Sequence, residues 1–115
     1  MTNAREEFEE HVLGRVVKCA VVKYYSVEPE LRLHVSYTEK QYEEFLSKLN
    51  FKYDDGYGSQ ELDGVIWYTD GSWSTRGEYD GSEWWELNIL PEVPEKLKGE
   101  TKWASSQVPV LLYIA

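Results

Sequence analysis

The sequence predicts an α+β fold, an antiparallel sheet with one or two helices packed on one face, and three observations carry that expectation. Tyr42, Phe45, Leu46 and Leu49 recur at helical spacing; residues 31–37 and 64–90 alternate apolar with polar side chains; and two Asp-Gly-Ser turn signals punctuate the second stretch. At 115 residues the chain suffices for one hydrophobic core and is too short for two ordinary domains, so 1–115 reads as a single domain.

A first helix is expected within Thr2–Val12. Asn3 is its N-cap, Glu6 and Glu7 make an acidic first turn, Phe8 and Val12 are spaced for packing, and Gly14 is the stop. The run Arg15–Tyr25, rich in β-branched and aromatic residues, predicts a long, largely buried strand with Val16, Cys19 and Val22 in the core. After Pro29, Leu31, Leu33, Val35 and Tyr37 alternate with Arg32, His34 and Ser36, the period of a half-buried strand. Thr38 and Gln41 form a capping box that opens a helix through about Leu49, its polar face carrying Glu39, Lys40, Glu43, Glu44 and Lys48. A short strand at Phe51–Tyr53 and an acidic loop over 54–59 lead into the meander.

Asp70-Gly71 predicts a hairpin with a two-residue type I′ turn, pairing Tyr68 with Trp73, Trp67 with Ser74 and Val65 with Arg76. That register puts Ile66, Tyr68, Trp73, Thr75 and Tyr79 on a core side, and Val65, Trp67, Ser74, Arg76 and Glu78 on an outward side. In the third strand, burying Trp85, Leu87 and Ile89 and exposing Trp84 and Glu86 then requires an odd loop around Asp80–Ser82, such as three residues with a bulge; an even loop buries Trp84 instead. Pro91 and Pro94 end the unit, and the apolar tail within 98–115 reads as an edge strand or a self-association segment that would make a homodimer.

Charge is the other signal. Acids outnumber bases by 21 to 12, and Asp54–Glu86 holds nine acids against Arg76 alone, −8 of the net −9. Such a field disfavours direct nucleic-acid binding and anionic membranes and favours partners with basic surfaces. One cysteine, no signal-like N-terminus and no long apolar run point to a soluble, cytoplasmic protein.

No nucleophile, metal-ligand set or phosphate loop is recognisable, so no catalytic residue, cofactor or metal is assigned. Asp54-Asp55-Gly56 and Asp70-Gly71-Ser72 lack the ligand pattern of a calcium loop, and His11 and His34 have no partner at zinc spacing. A carboxylate pair in an aromatic cleft could serve glycoside hydrolysis, but with 21 acids that signal has little specificity. The candidate partner-binding residues are Trp67, Arg76, Glu78, Trp84 and Glu86, because Trp and Arg dominate interface hot spots. The plain alternative is that Arg76 stacks on Trp67 and pairs with Glu78 or Glu86 within the sheet face, or that a helix covers that face.

The segment Gly64–Glu86, with IWYTDGSWSTRGEYDGSEWWE, together with Tyr53–Gly58, Gln60–Leu62 and Leu90–Pro94, resembles a motif of small acidic proteins of unknown function encoded by tailed bacteriophages and prophages. The resemblance implies an accessory protein of the host cytoplasm that binds a host protein stoichiometrically, inhibiting host defence or host machinery. The alternatives are a nucleic-acid-mimicking inhibitor of a DNA- or RNA-binding protein and a small carbohydrate-binding module.

Overall fold

Asn3 starts the fold by capping a helix and holding a strand pair at the same time. The computed structural model describes residues 1–24, 29–54, 56 and 59–98. Strand β1 (Thr2–Asn3) leads into helix α1 (Ala4–His11), where the Asn3 side chain accepts a hydrogen bond from the Glu6 amide at 3.0 Å. The chain leaves this helix through Gly14, whose φ of +87° suits a glycine. Strands β2 (Val17–Tyr24) and β3 (Leu31–Leu33) follow, then α2 (Glu39–Lys48) and β4 (Lys52–Tyr53). At α2 the capping box is complete: Thr38 Oγ1 accepts from the Gln41 amide at 3.1 Å, and Gln41 Oε1 accepts from the Thr38 amide at 2.8 Å. Strands β5 (Leu62–Tyr68), β6 (Trp73–Tyr79) and β7 (Ser82–Asn88) form the meander, and one helical turn, α3 (Glu95–Lys98), ends the described chain.

The architecture is α+β. A five-stranded antiparallel sheet runs β3-β2-β5-β6-β7, and β1 pairs with β4 in a separate two-stranded ribbon. Ala20, Val22, Leu33, Leu62, Ile66, Tyr68 and Trp85 on the inner face of the large sheet join Phe8, Phe45, Leu46, Leu49 and Tyr53 in one buried cluster. Phe8 is its hub, meeting Phe45 edge-on at 5.5 Å and Trp85 at 6.3 Å, so both long helices lie on the same face.

Several expectations are corrected. Strand β2 starts at Val17 and breaks register between Val17 and Cys19, which leaves Val16 65% exposed and turns Cys19 to the outer face; Val22 is fully buried as expected. The alternation over 31–37 yields only a three-residue strand, because Ser36 adopts φ +61° and turns the chain away, exposing His34 and Val35.

Both meander turns also differ. The first loop has three residues: the Tyr68 amide donates to Ser72 O at 3.0 Å, the Gly71 amide donates to Tyr68 O at 3.2 Å, and Gly71 carries φ +91° while Asp70 does not adopt positive φ. The second loop is the two-residue one, with Asp80 at φ +53° and Gly81 at φ +90° between the paired Tyr79 and Ser82. Each loop differs from expectation by one residue, so the two shifts cancel at β7 and invert β6 alone. Trp85 is buried and Trp84 exposed as expected, but Ser74 and Arg76 point inward while Trp73 and Thr75 point outward. The 98–115 tail expected as an edge or association strand lies outside the described residues beyond Lys98.

Candidate functional site

The outer face of the large sheet carries three tryptophans. Trp67 on β5 stands directly opposite Trp73 on β6, and Cys19 on β2 flanks Trp67 on its other side. The next row across the strands is Val21, Val65, Thr75 and Glu86. Trp67 is 42% exposed and Trp84 37%, and both long helices pack on the opposite face.

The third indole is held in place. Trp84 Nε1 donates to Glu86 Oε2 at 3.1 Å, and the ring lies over Gly77, where a Cβ would come within 2.6 Å of Nε1. Beside it Asn88 Nδ2 donates to Thr75 Oγ1 at 3.1 Å. Two hollows of about 350 and 320 Å³ flank Trp67 and share Cys19 and Val35 in their walls. A third, of about 390 Å³, lies between β3 and α2 and is lined by Tyr37, Phe45, Arg32 and Lys48 among others; none of the three tryptophans borders it.

Charge on this face is graded rather than uniformly acidic. Lys18, Lys23 and Arg32 belong to the β2–β3 half, Asp63 and Glu86 to the β5–β7 half. Most of the other acids of the acidic third sit at loops and at the β6–β7 turn, where Glu78 Oε2 accepts from the Gly81 amide at 3.2 Å. Asp70 caps the first turn, and hydrogen bonds from the Ser72 hydroxyl and amide hold its carboxyl below the ordinary aspartate range.

Of the five candidate binding residues, Trp67, Trp84 and Glu86 share the outer face. Arg76 and Glu78 do not, because β6 is inverted. The Arg76 side chain is fully buried and meets an equally buried Glu83 at 2.8 Å. It also donates to Tyr53 Oη at 2.8 Å and, through Nε, to Leu62 O at 3.3 Å, with its guanidinium carbon 5.0 Å from the Trp85 ring centre. Its second terminal nitrogen is 3.2 Å from Glu7 Oε1; that is an ion pair by distance, but the angle makes no hydrogen bond. Burial opposes the guanidinium's charge, and Glu83, Glu7 and Tyr53 outweigh it, holding the group more firmly protonated than usual.

Glu83 returns the interaction by accepting from the Glu61 and Leu62 amides at 2.7 and 3.0 Å. Tyr53 Oη donates to Glu7 Oε1 at 2.5 Å, and burial, reinforced by that bond, raises its pKa. This cluster ties α1, β4, β5, β6 and β7 together beneath the aromatic face.

A second polar group escapes a reading of sequence spacing. His11 Nε2 lies 2.7 Å from Ser74 Oγ, which is also 2.8 Å from Tyr68 Oη, and the imidazole stacks on Trp85. A serine 2.7 Å from an imidazole has the distance of a nucleophile–base pair, but Ser74 is fully buried and its hydroxyl is occupied by both neighbours. What turns Ser74 inward is the three-residue loop at Thr69–Gly71, a loop length that the Asp70-Gly71 pair does not reveal in the sequence.

Among the described residues no group of three or more His, Cys, Asp or Glu is placed to hold a metal ion, and no helix is long and apolar enough to cross a membrane. Comparison with known protein families, with curated proteins and with solved structures finds no match to this chain.

Proposed function

We propose that this chain is a non-enzymatic binding module that engages another protein through the outer face of its large sheet, with Trp67, Trp73 and Trp84 as anchors and Glu86 and Asp63 at their acidic side. The observation that carries this reading is the placement of three indoles on the sheet face opposite the helices, with Trp84 fixed over Gly77 by its bond to Glu86. Large, rigid, half-exposed aromatics bury much area on binding at little entropic cost, which is why they dominate interface energetics.

The resemblance of Gly64–Glu86 to small phage-encoded acidic proteins supports a bacterial host protein as the partner, and the acidic half of the face supports a basic surface on it. Inhibition of host machinery or defence by such occupancy is the functional consequence of this reading. Affinity capture from a bacterial lysate tests it. The wild-type chain is expected to retain a specific protein that the Trp67→Ala/Trp84→Ala double variant loses while keeping its thermal midpoint within a few degrees. Recovery of the same proteins by both would reject this face as the contact surface.

A further inference from the structure

We propose that the free edge of β7 pairs with the same edge of a second copy of this chain, joining the two large sheets about a two-fold axis at Leu87. The inference is independent of the binding reading above. The sheet has two edges, and they are unlike. The β3 edge is three residues long with Arg32 at its centre, a short and charged strand of the kind that resists pairing. The β7 edge is seven residues long, and residues 82–90 contain no lysine, arginine or proline.

Pairing geometry fixes which backbone groups face outward. Tyr79 and Ser82 flank the two-residue turn and form its closing hydrogen-bonded pair, so alternate residues of β7 bond to β6. The amides and carbonyls of Trp85 and Leu87 therefore face the free side, and Ile89 continues the series. Among the described residues no backbone hydrogen bond from another segment reaches Trp84–Leu90 on that side.

The available window is symmetric about Leu87. Gly56 bridges Ser82 and occupies the start of the edge; Pro91, with no N–H to donate, closes the other end. What remains is Trp84–Leu90. Antiparallel pairing centred on Leu87 sets Leu87 against itself, Trp85 against Ile89 and Glu86 against Asn88, so each carboxylate meets an amide. A shift of the centre to Glu86 would set two carboxylates face to face.

The residues that this register covers are the apolar ones left in water: Leu87 is 37% exposed, Ile89 64% and Leu90 73%. Directly opposed residues of an antiparallel pair point to one side. The two helical layers therefore lie on one side of the joined sheet and the two tryptophan faces on the other.

Light scattering on the full chain at about 100 μM, where a dimer of micromolar Kd is mostly assembled, is expected to give twice the 13.5 kDa chain mass. Leu87→Lys places two ammonium groups across the axis and is expected to halve that mass with an unchanged near-ultraviolet circular dichroism spectrum. As a second measurement, Leu87→Cys in a Cys19→Ser background is expected to cross-link on mild oxidation, since hydrogen-bonded partners have Cα atoms about 5.5 Å apart, within disulfide range. Lys40→Cys in the same background, on the exposed side of α2, is the control. A monomeric wild-type chain, whether residues 99–115 or nothing covers the edge, overturns the proposal. So does a dimer mass that survives Leu87→Lys, or cross-linking at Leu87→Cys no faster than at Lys40→Cys.

Discussion

Arg76 and Glu83 face each other at 2.8 Å across β6 and β7, with both side chains fully buried. Desolvating two charges is costly, and the pair is sustained by its surroundings: two amides on Glu83, the Tyr53 hydroxyl and Leu62 carbonyl on Arg76, and Glu7 close by. Removing one partner strands the other. Arg76→Ala or Glu83→Ala is therefore expected to lower unfolding free energy by about 3–5 kcal/mol in urea titrations. The Arg76→Met/Glu83→Leu double variant should lose less than either alanine variant, since neither member of the pair is left facing a missing partner and Glu7, 17% exposed, keeps the hydrogen bond from Tyr53.

Gly64 on β5 stands directly opposite Val22 on β2. A Cβ there would stand 2.4 Å from Val21 O, 3.1 Å from Val22 Cα and 3.2 Å from Trp85, and the nearest of these is backbone locked in the sheet. Gly64→Ala must therefore push β2 and β5 apart. A loss of about 1–3 kcal/mol is expected from chemical denaturation, the usual scale for overpacking a core.

His11 gives the fold a pH dependence of known sign. Burial, then the charges of Arg15 and Arg76, hold its pKa below the ordinary 6.5. As pH falls through that value, the unfolded chain binds the proton first. The stability contributed by neutral His11 is thus complete above about pH 6.5 and declines toward the lower folded-state pKa. Thermal midpoints of wild type and His11→Gln, compared between pH 8 and pH 5, should show the wild type losing more across that window. Parallel profiles would show that His11 does not titrate differently in the two states.

The two long helices were legible because their signals are local, whereas the single turn at Glu95–Lys98 lies in a stretch that reads as a surface connection. Asn3 with Glu6, and Thr38 with Gln41, bond within four residues, so caps and helical faces follow from spacing. The meander's existence was equally legible from two Asp-Gly pairs. Its register was not: Asp-Gly serves a two-residue type I′ turn at Asp80 and a three-residue turn with a bulge at Asp70, and composition around them does not distinguish the two. One residue of loop length decided whether Arg76 was a surface anchor or a buried ion. Its partners Glu7 and Tyr53 come from distant elements, and no pattern within the meander announces them. Trp84 and Glu86 survived as surface residues because two opposite shifts cancelled at β7, whereas Trp67 on β5 precedes both loops and is unaffected by either.

Gly77 offers the sharpest contrast with Gly64. Its Cβ would approach Trp84 Nε1 at 2.6 Å, Trp84 Cε2 at 2.8 Å and Glu86 Cδ at 2.8 Å, all of them side-chain atoms on the open face of the sheet. Nothing in the backbone has to move, and alanine loses less conformational entropy on folding than glycine. Gly77→Ala is therefore expected to change unfolding free energy by less than about 1 kcal/mol. The indole must instead leave its seat, which breaks the 3.1 Å bond from Trp84 to Glu86. In proton–nitrogen spectra the Trp84 indole resonance should move and exchange faster with water, and partner capture should fall in the same direction as expected for the Trp67→Ala/Trp84→Ala double variant. An unmoved resonance would mean that the ring does not rest on Gly77. A moved resonance with undiminished capture would remove Trp84 from the contact surface while leaving Trp67 and Trp73 as its anchors.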